Sequence, residues 1–412
     1  QQHFWPFTFI YLLWLIVFFV AGLYDLTSAR NNLKFYNLLL KGLAINAGLA
    51  IAFFYFIPYF GINPKTNLFL DLIIFAFLFS GWRQIFNHLI KSTALLNRVL
   101  IIGEKHKETV QIAEIIKKNP QFGYTIVDII SPKEIKTPFD ILELATQKNI
   151  KTIVTAIDPH QDSKLIQSLY QCLPLKISFS DLPSFYEKIL GKVPISSIGE
   201  MWFLENLSES QKNFYETAKR VFDMIGSFIL GIIILILLPL IVLVIKLDSQ
   251  GPAFYKQRRI GQDGQIFFLY KFRTMYATQK DGGSEPEGKP LYAQPNDKRI
   301  TRIGSFFRKT RLDEFPQLWN ILLGHMSFIG PRAERIEFVQ QLEKAIPYYQ
   351  IRHIVKPGLT GWAQVNFPYG ASIEDSIEKL QYELYYIKHR SFILDLGTLL
   401  RTIKIVLIGG GR

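Results

Sequence analysis

The chain is 412 residues long, 49% hydrophobic and 14% aromatic, with a formal net charge of +13. Its long uncharged apolar runs turn that basic balance toward lipid headgroups and phosphorylated substrates and away from nucleic acid. Cys172 is the only cysteine and the seven histidines show no metal-ligand spacing, which excludes an intrachain disulfide, a cysteine-based metal site and a histidine zinc motif.

Residues 1–96 hold three apolar segments. Phe7 to Tyr24 carries no charge, Leu43 to Phe60 follows, and Leu68 to Gly81 has Asp71 as its polar exception. Each can enter a bilayer as a helix. Arg30 and Lys34 after the first segment, and Arg83, Lys91 and Arg98 after the third, place those flanks in the cytoplasm by the positive-inside rule. The loop 61–67 is then outside, as is Gln1. A start without Met and on that side predicts a further helix upstream. Residues 97–200 change character. Strand-like runs at Val99–Ile102, Tyr124–Ile130, Thr152–Ala156 and Lys176–Phe179 alternate with helix-like runs at Glu108–Lys118, Phe139–Lys148 and Ser163–Cys172. That alternation predicts a parallel α/β layer. The opening RVLIIGEKHKE resembles a Rossmann unit, but Glu104, Lys105 and His106 stand where G-x-G-x-x-G would place glycines. A regulatory or scaffolding domain fits better than a dinucleotide site. Residues 201–218 read as a linker.

The most apolar run, 219–247, has Lys219 and Arg220 before it, Lys246, Lys256, Arg258 and Arg259 at and after its end, and Pro239 inside. Positive charge on both sides argues against a simple span, and an interior proline kinks a helix. A re-entrant helix bent at Pro239 satisfies both facts; a kinked spanning helix is the alternative. A polar, Gly-rich stretch at Thr278–Lys289 predicts a mobile loop. KRITRIGSFFRKTRLDEFPQLWN, residues 298–320, then sets six basic residues before the adjacent carboxylates Asp313 and Glu314 and an apolar run. Arginines and lysines hold phosphoryl oxygens, while a carboxylate can bind Mg²⁺ or attack phosphorus. Asp313 could instead cap a helix starting near Pro316. GHMSFIGPRAER carries Arg332, and IRHIVKPGLTGWAQVN carries Trp362, which suits core packing. The tail 380–408 has helical spacing that fits either a headgroup-level helix or packing on the core.

KRVFD, YKQRRIG, YKFRTM, RKTRLDEFPQLWN, MSFIGPRAE and KPGLTGWAQVN follow in this order over residues 219–412. Together they resemble the bacterial sugar transferase family, the monotopic polyprenyl-phosphate phosphoglycosyl transferases. The N-terminal half resembles the large members that begin exopolysaccharide, capsule or O-antigen synthesis. The resemblance implies an α/β membrane protein: N-terminal transmembrane helices, a degenerate Rossmann-like domain, and a mainly α catalytic domain over 219–412 with the Pro239 re-entrant helix. It implies transfer of a sugar-1-phosphate from a UDP-sugar to undecaprenyl phosphate at the cytoplasmic face of the bacterial inner membrane. By motif, Asp313 is the nucleophile that forms an aspartyl-phosphosugar, Glu314 and Asp313 hold Mg²⁺, and Arg332 contacts phosphate. Arg308, Arg311, Lys271, Arg273 and Arg258 are candidate substrate contacts, several of which could face lipid headgroups instead. Ala333 departs from the GPRP form that many members carry. Glucose or galactose is the expected sugar, and a homodimer is compatible. A membrane-bound scaffold with a basic headgroup-binding face is the competing reading; it needs the charge but not the adjacent carboxylates.

Overall fold

The computed structural model describes residues 4–25, 32–57, 65–91, 96–135, 137–157, 162–207, 212–278, 283, 297–367, 370 and 372–407. The chain divides into two compact units, Gln1–Leu190 and Gly191–Arg412. Most of the loop expected at Thr278–Lys289, and most of the two loops used for the charge argument, lie outside the described residues.

In the first unit, α1 (Phe4–Ala21), α2 (Leu33–Phe56) and α3 (Lys65–Lys91) form a small bundle. Ile10, Trp14 and Phe18 recur every fourth residue on the buried face of α1, while Phe9, Leu12, Leu15 and Ile16 are exposed. Such an inverted surface suits lipid, since every helical backbone bond is satisfied within the segment. Two polar contacts cross the bundle, while Asn46 of α2 is wholly buried with neither amide atom hydrogen-bonded among the described residues. Tyr11 donates to Asp71 Oδ2 at 3.0 Å, and Arg83 donates to the Leu23 carbonyl at 2.6 Å. A four-stranded sheet follows, with β1 (Asn97–Ile102), α4 (Lys107–Lys118), β2 (Tyr124–Ile130), α5 (Asp140–Gln147), β3 (Thr152–Thr155), α6 (Ser163–Gln171), β4 (Ser178–Asp181) and α7 (Leu182–Leu190). All its pairs are parallel, in the order β2-β1-β3-β4. Val99 to Ile102 are wholly buried because helices cover both faces, which is why the strand reads as an unbroken apolar run. At Gly103 (φ +158°) a Cβ would lie 2.5 Å from the Ala156 Cβ, so β1 and β3 leave no room between their ends. The fourth strand begins two residues later than expected, and α7 had no counterpart in the expectations.

The second unit begins at Gly191, not at 219, and this corrects the expected linker. α8 (Glu200–Asn206) places Trp202 and Phe203 in a core with Val193, Val339, Leu342 and Leu384. Val193 N donates to the Gln381 carbonyl at 3.0 Å. α9 runs unbroken from Asn213 to Asp248 with Pro239 inside it. It starts six residues before the apolar run because Tyr215 and Lys219 are buried on the unit, both bonded to Asp395 Oδ2 at 2.7 Å. Then come the antiparallel hairpin β5 (Phe254–Ile260) and β6 (Ile266–Phe272), α10 (Arg302–Thr310), α11 (Gln317–Leu322), β7 (Ser327–Ile329), α12 (Ile336–Ala345), β8 (Gly358–Thr360), α13 (Trp362–Asn366), α14 (Ile373–His389) and α15 (Phe392–Leu407). β7 and β8 pair in parallel at a crossing where a Cβ on Gly330 would meet the Lys356 carbonyl at 2.3 Å and one on Gly358 the Gly330 nitrogen at 2.1 Å. The glycines of the two motifs are required by that approach.

Among the described residues four helices, α1 to α3 and α9, are long and apolar enough to cross a bilayer. α9 is largely exposed, Leu235, Ile236 and Leu240 among its open side chains, and touches its own unit along one stripe. Phe328 N donates to Asp223 Oδ1 near its start. Ile234 joins a cluster with Phe267 and Leu318 at its middle. Leu238, Ile241, Val242 and Ile245 join Phe272 and Phe307 near its end. The expected tail is two helices. Leu380, Leu384 and Ile387 of α14 lie in the core, whereas α15 exposes Ile393, Leu396 and Leu407.

Candidate active site

α10 is capped by Thr301, whose Oγ1 accepts from Gly304 N at 2.9 Å. It ends at Arg311, a non-glycine residue held at φ +59°, a conformation that costs an L-residue about 1 kcal/mol. This reversal feeds a 3₁₀ turn over Leu312–Glu314, and the turn carries both carboxylates inward. Asp313 and Glu314 are 7% and 6% exposed. Asp313 does not cap the following helix: Pro316 occupies that position without a side-chain cap.

The two acids have different surroundings. Glu314 is held by Lys271 Nζ at 3.0 Å, Arg311 Nη1 at 3.3 Å and Arg332 Nη1 at 3.8 Å. Burial opposes its charge, but the three cations overcome burial and keep the carboxyl far below the usual range. Asp313 has no hydrogen-bond or ion-pair partner among the described residues. Burial, reinforced by the Glu314 charge, pushes it up to about 6 despite Lys271, Arg308 and Arg311 nearby. Neighbouring acids with environments this different take different roles.

Of the expected contacts, Lys271, Arg311 and Arg332 meet at Glu314. Arg308 is turned toward Asp313 by Thr274, whose Oγ1 accepts from its Nε at 2.9 Å, and its charge lowers the Asp313 carboxyl. Arg273 is directed elsewhere. It is 3% exposed and donates to the carbonyls of Ile245 (3.3 Å), Ser249 (2.7 Å) and Gln250 at the end of α9. Arg258 is exposed and pairs with Phe268, on the hairpin face opposite the Tyr255–Lys271 pair. Pro239 lies in α9, and Trp362 is structural, donating Nε1–H to the Gly191 carbonyl at 2.8 Å and stacking on Tyr385.

Two arginines escaped the sequence. Arg259 lies on the same hairpin face as Lys271. It donates to the Ala333 carbonyl at 2.9 Å, and burial pulls it down to about 10. Strand alternation separates it from Arg258, but only the hairpin register says which of the two faces the site. Arg352 donates to the Arg332 carbonyl at 2.9 Å and is held bidentately by Glu383 at 2.7 and 2.8 Å. It therefore fixes the backbone that presents Arg332, and no local pattern marks it. Ala333 is 4% exposed in the core beneath the site, so its small side chain serves packing.

Among the described residues no cluster of three or more His, Cys, Asp or Glu is present. The dyad still fits Mg²⁺, which takes one or two hard carboxylates and completes its shell with water and substrate phosphate. Asp313 has its oxygens unengaged, and Glu314 lies beside it.

Residues 214–409 match the bacterial sugar transferase family model. Over 243 residues the chain is 37% identical to the UDP-N-acetylgalactosamine-undecaprenyl-phosphate N-acetylgalactosaminephosphotransferase of Aeromonas hydrophila, covering 59% of this chain and 55% of that one. Over 343 residues it is 30% identical to the UDP-glucose:undecaprenyl-phosphate glucose-1-phosphate transferase of Xanthomonas campestris pv. campestris, covering 79% and 69%. An Escherichia coli K12 protein of that same description is 36% identical over 189 residues, covering 45% and 39%. The chain thus spans about half the length of several relatives that it matches.

Proposed function

Because the chain belongs to the bacterial sugar transferase family, we propose that it transfers a hexose-1-phosphate from a UDP-sugar to undecaprenyl phosphate and releases UMP, with Asp313 as the attacking group. The observation that carries this reading is the asymmetry of the dyad: Glu314 is neutralised by Lys271, Arg311 and Arg332, while Asp313 is buried and unpaired. An unpaired carboxylate amid cations is a nucleophile for an anionic phosphorus centre, because the cations cancel the repulsion between the two.

In the first step an Asp313 oxygen bonds to the β-phosphorus, and the bond from that phosphorus to the oxygen bridging the α-phosphate breaks. UMP leaves with the electron pair. In the second step an oxygen of the lipid phosphate bonds to the same phosphorus and the bond to Asp313 breaks, restoring the carboxylate. Arg332, which is 40% exposed at its side chain, and Arg308 are placed to hold the donor phosphates bidentately. Mg²⁺, held by Asp313 and Glu314, would supply additional charge neutralisation at the phosphates. The relatives named above transfer different sugars, N-acetylgalactosamine and glucose, so the donor is identified here only as a UDP-hexose.

α9 is proposed to lie re-entrant, with both ends at the cytoplasmic face of the bacterial inner membrane. Basic residues at both ends of its apolar run, Lys219 and Arg220 before it and Lys246, Lys256, Arg258 and Arg259 after, together with Pro239 inside it, support this, because positive flanks stay on the cytoplasmic side. The nucleophile then sits at the interface where a soluble donor and a lipid phosphate both arrive. The sheet of the first unit is proposed to regulate or scaffold, in keeping with the closed ends of β1 and β3.

The test is UMP release by the purified chain in nanodiscs with undecaprenyl phosphate and a panel of UDP-sugars. Release with one sugar, dependent on the lipid and lost in EDTA, is expected. With donor labelled in the β-phosphate and no lipid, a protein-bound adduct should form and should be absent in Asp313→Asn. Full turnover in that variant would sink the nucleophile assignment.

A further inference from the structure

Polar residues from three of the motifs are not accounted for by the dyad. Lys219, Arg220 and Asp223 of KRVFD, Ser327 of MSFIGPRAE and Lys356 of KPGLTGW converge on a separate cavity at the start of α9. Its volume is about 30 Å³, room for roughly two waters. That admits the oxygens of one phosphoryl group and excludes a sugar or a nucleoside.

Most of the charge around this cavity is already matched. Lys219 pairs with Asp395 at 2.7 Å and Arg390 with Glu216 at 2.6 Å. Arg220 caps the end of α11, donating to the carbonyls of Ile321 at 2.5 Å and Leu322 at 2.7 Å. Those neutral acceptors leave its full positive charge in place. Asp223, the remaining carboxylate, accepts from Phe328 N at 3.1 Å, a neutral donor that leaves its negative charge in place, so Arg220 and Lys356 together outweigh it. Lys356 Nζ has no hydrogen-bond or ion-pair partner among the described residues. Its ammonium and the Arg220 guanidinium lie 3.8 and 3.6 Å from the point where Gly324 would carry a Cβ. The two cations therefore lie beside the same point of the backbone, where Gly324 takes φ +86°, a conformation that favours glycine. Two cations on one small space outweigh the single unmatched carboxylate beside them, and an added anion would relieve that excess. Burial and the nearby Arg220 charge lower the Lys356 ammonium, while Asp223 and Glu216 work against that.

We propose that this cavity is an anion subsite, distinct from the catalytic dyad, that takes a single phosphoryl group between Lys356 and Arg220. Its position identifies the class of ligand. Lys219 and Arg220 stand where the apolar run of α9 begins, and Val221, Phe222, Ile225 and Phe228 beyond them are exposed. A phosphate held at the cavity lies at the depth where this apolar surface begins. The ligand is thus the phosphate of an amphiphile at headgroup depth, and it would anchor the end of α9 by charge in addition to the apolar burial of the helix.

The test is competitive labelling of the unaltered chain in nonionic detergent. Acetylation of Lys356 by an N-hydroxysuccinimide ester is followed by peptide mass spectrometry, with exposed Lys344 as internal control. Inorganic phosphate, dioleoylphosphatidylglycerol, undecaprenyl phosphate and neutral dioleoylglycerol are added in separate arms. At least fivefold slower labelling at Lys356 with a phosphate-bearing amphiphile, and none with dioleoylglycerol, is expected. Protection by both amphiphiles assigns the site to headgroups in general, and protection by undecaprenyl phosphate alone assigns it to the acceptor. Equal protection by inorganic phosphate keeps the anion subsite and moves its ligand into water. Labelling unchanged by every phosphate overturns the proposal. Retention of phosphatidylglycerol in native mass spectrometry gives a second readout: Lys356→Gln should lose at least fivefold and Lys356→Arg should keep it. Equal retention by Lys356→Gln would also overturn the proposal. Neither readout uses turnover, so each stands apart from the fate of the proposed reaction.

Discussion

Asp313 illustrates how a site residue can oppose stability. Its folded-state pKa is raised by burial to about 6, so its ionised form is disfavoured by folding. The penalty is absent below the unfolded value of about 3.9, grows as pH rises toward 6 and is full above it. Asp313→Asn should therefore raise the melting temperature at pH 7.5, by an amount equivalent to about 2–3 kcal/mol, while turnover falls by at least about a thousandfold, the order lost when an activated nucleophile is removed. Calorimetry alongside the UMP assay checks both; a variant less stable than the parent would refute the burial argument. In the proposed mechanism the same ionisation sets the acid limb of the rate, since an attacking carboxyl must be anionic. In the absence of lipid, adduct formation should rise with pH and level off once Asp313 is ionised. Glu314→Gln acts differently. It removes the negative charge that Lys271, Arg311 and Arg332 share, turns one acceptor oxygen into an NH2 donor facing cations, and should lower both stability and turnover. At this scale the sequence displayed the dyad as adjacent letters, but only the 3₁₀ turn after Arg311 made one acid paired and the other not.

At the scale of elements, the hairpin and α9 are locked by side chains that a motif search assigns to substrate. Arg273 binds three carbonyls at the end of α9. Arg273→Ala should cost about 2–4 kcal/mol by leaving buried acceptors unpaired, with little change in the KM for donor; a large KM change at intact stability would return Arg273 to the substrate. Gly226 is a second lock. A Cβ there would sit 2.9 Å from the Phe328 ring, and β7 leads directly to Arg332. Gly226→Val should destabilise by about 1–3 kcal/mol through overpacking. Phe328→Ala in the same chain should recover part of that loss, a coupling that a double-mutant cycle measures. The period-2 and helical patterns placed β1 to β4 and α4 to α6 within a few residues but did not mark β5 to β8 as strands. They could not tell Arg258 from Arg259, because facing depends on register with β6.

For the molecule as a whole, α9 decides how the second unit meets the bilayer. In a Cys172→Ser background, Asn213→Cys and Gln250→Cys mark the two ends of the helix. A re-entrant arrangement predicts that a membrane-impermeant maleimide labels both from inside-out vesicles and neither from right-side-out ones. Labelling of the two ends from opposite sides would establish a span. The boundary between units also belongs to this scale. Composition suggested a linker at 201–218, yet Val193, Trp202 and Phe203 complete the core built by α12 and α14. These partners lie more than a hundred residues away in sequence, so no local window reports them.

By itself the sequence determined the apolar segments, their order and the adjacency of the two carboxylates, because apolar runs, residue alternation and neighbouring acids are local properties of a chain. The tertiary structure decided which cation serves which acid, that Arg273 caps a helix, that Arg259 and Arg352 support the site, and that Lys356 is left facing Arg220. Each of these depends on charges brought together from distant positions, and the strength of a charge interaction is set by separation in space and by burial, neither of which is written along the chain.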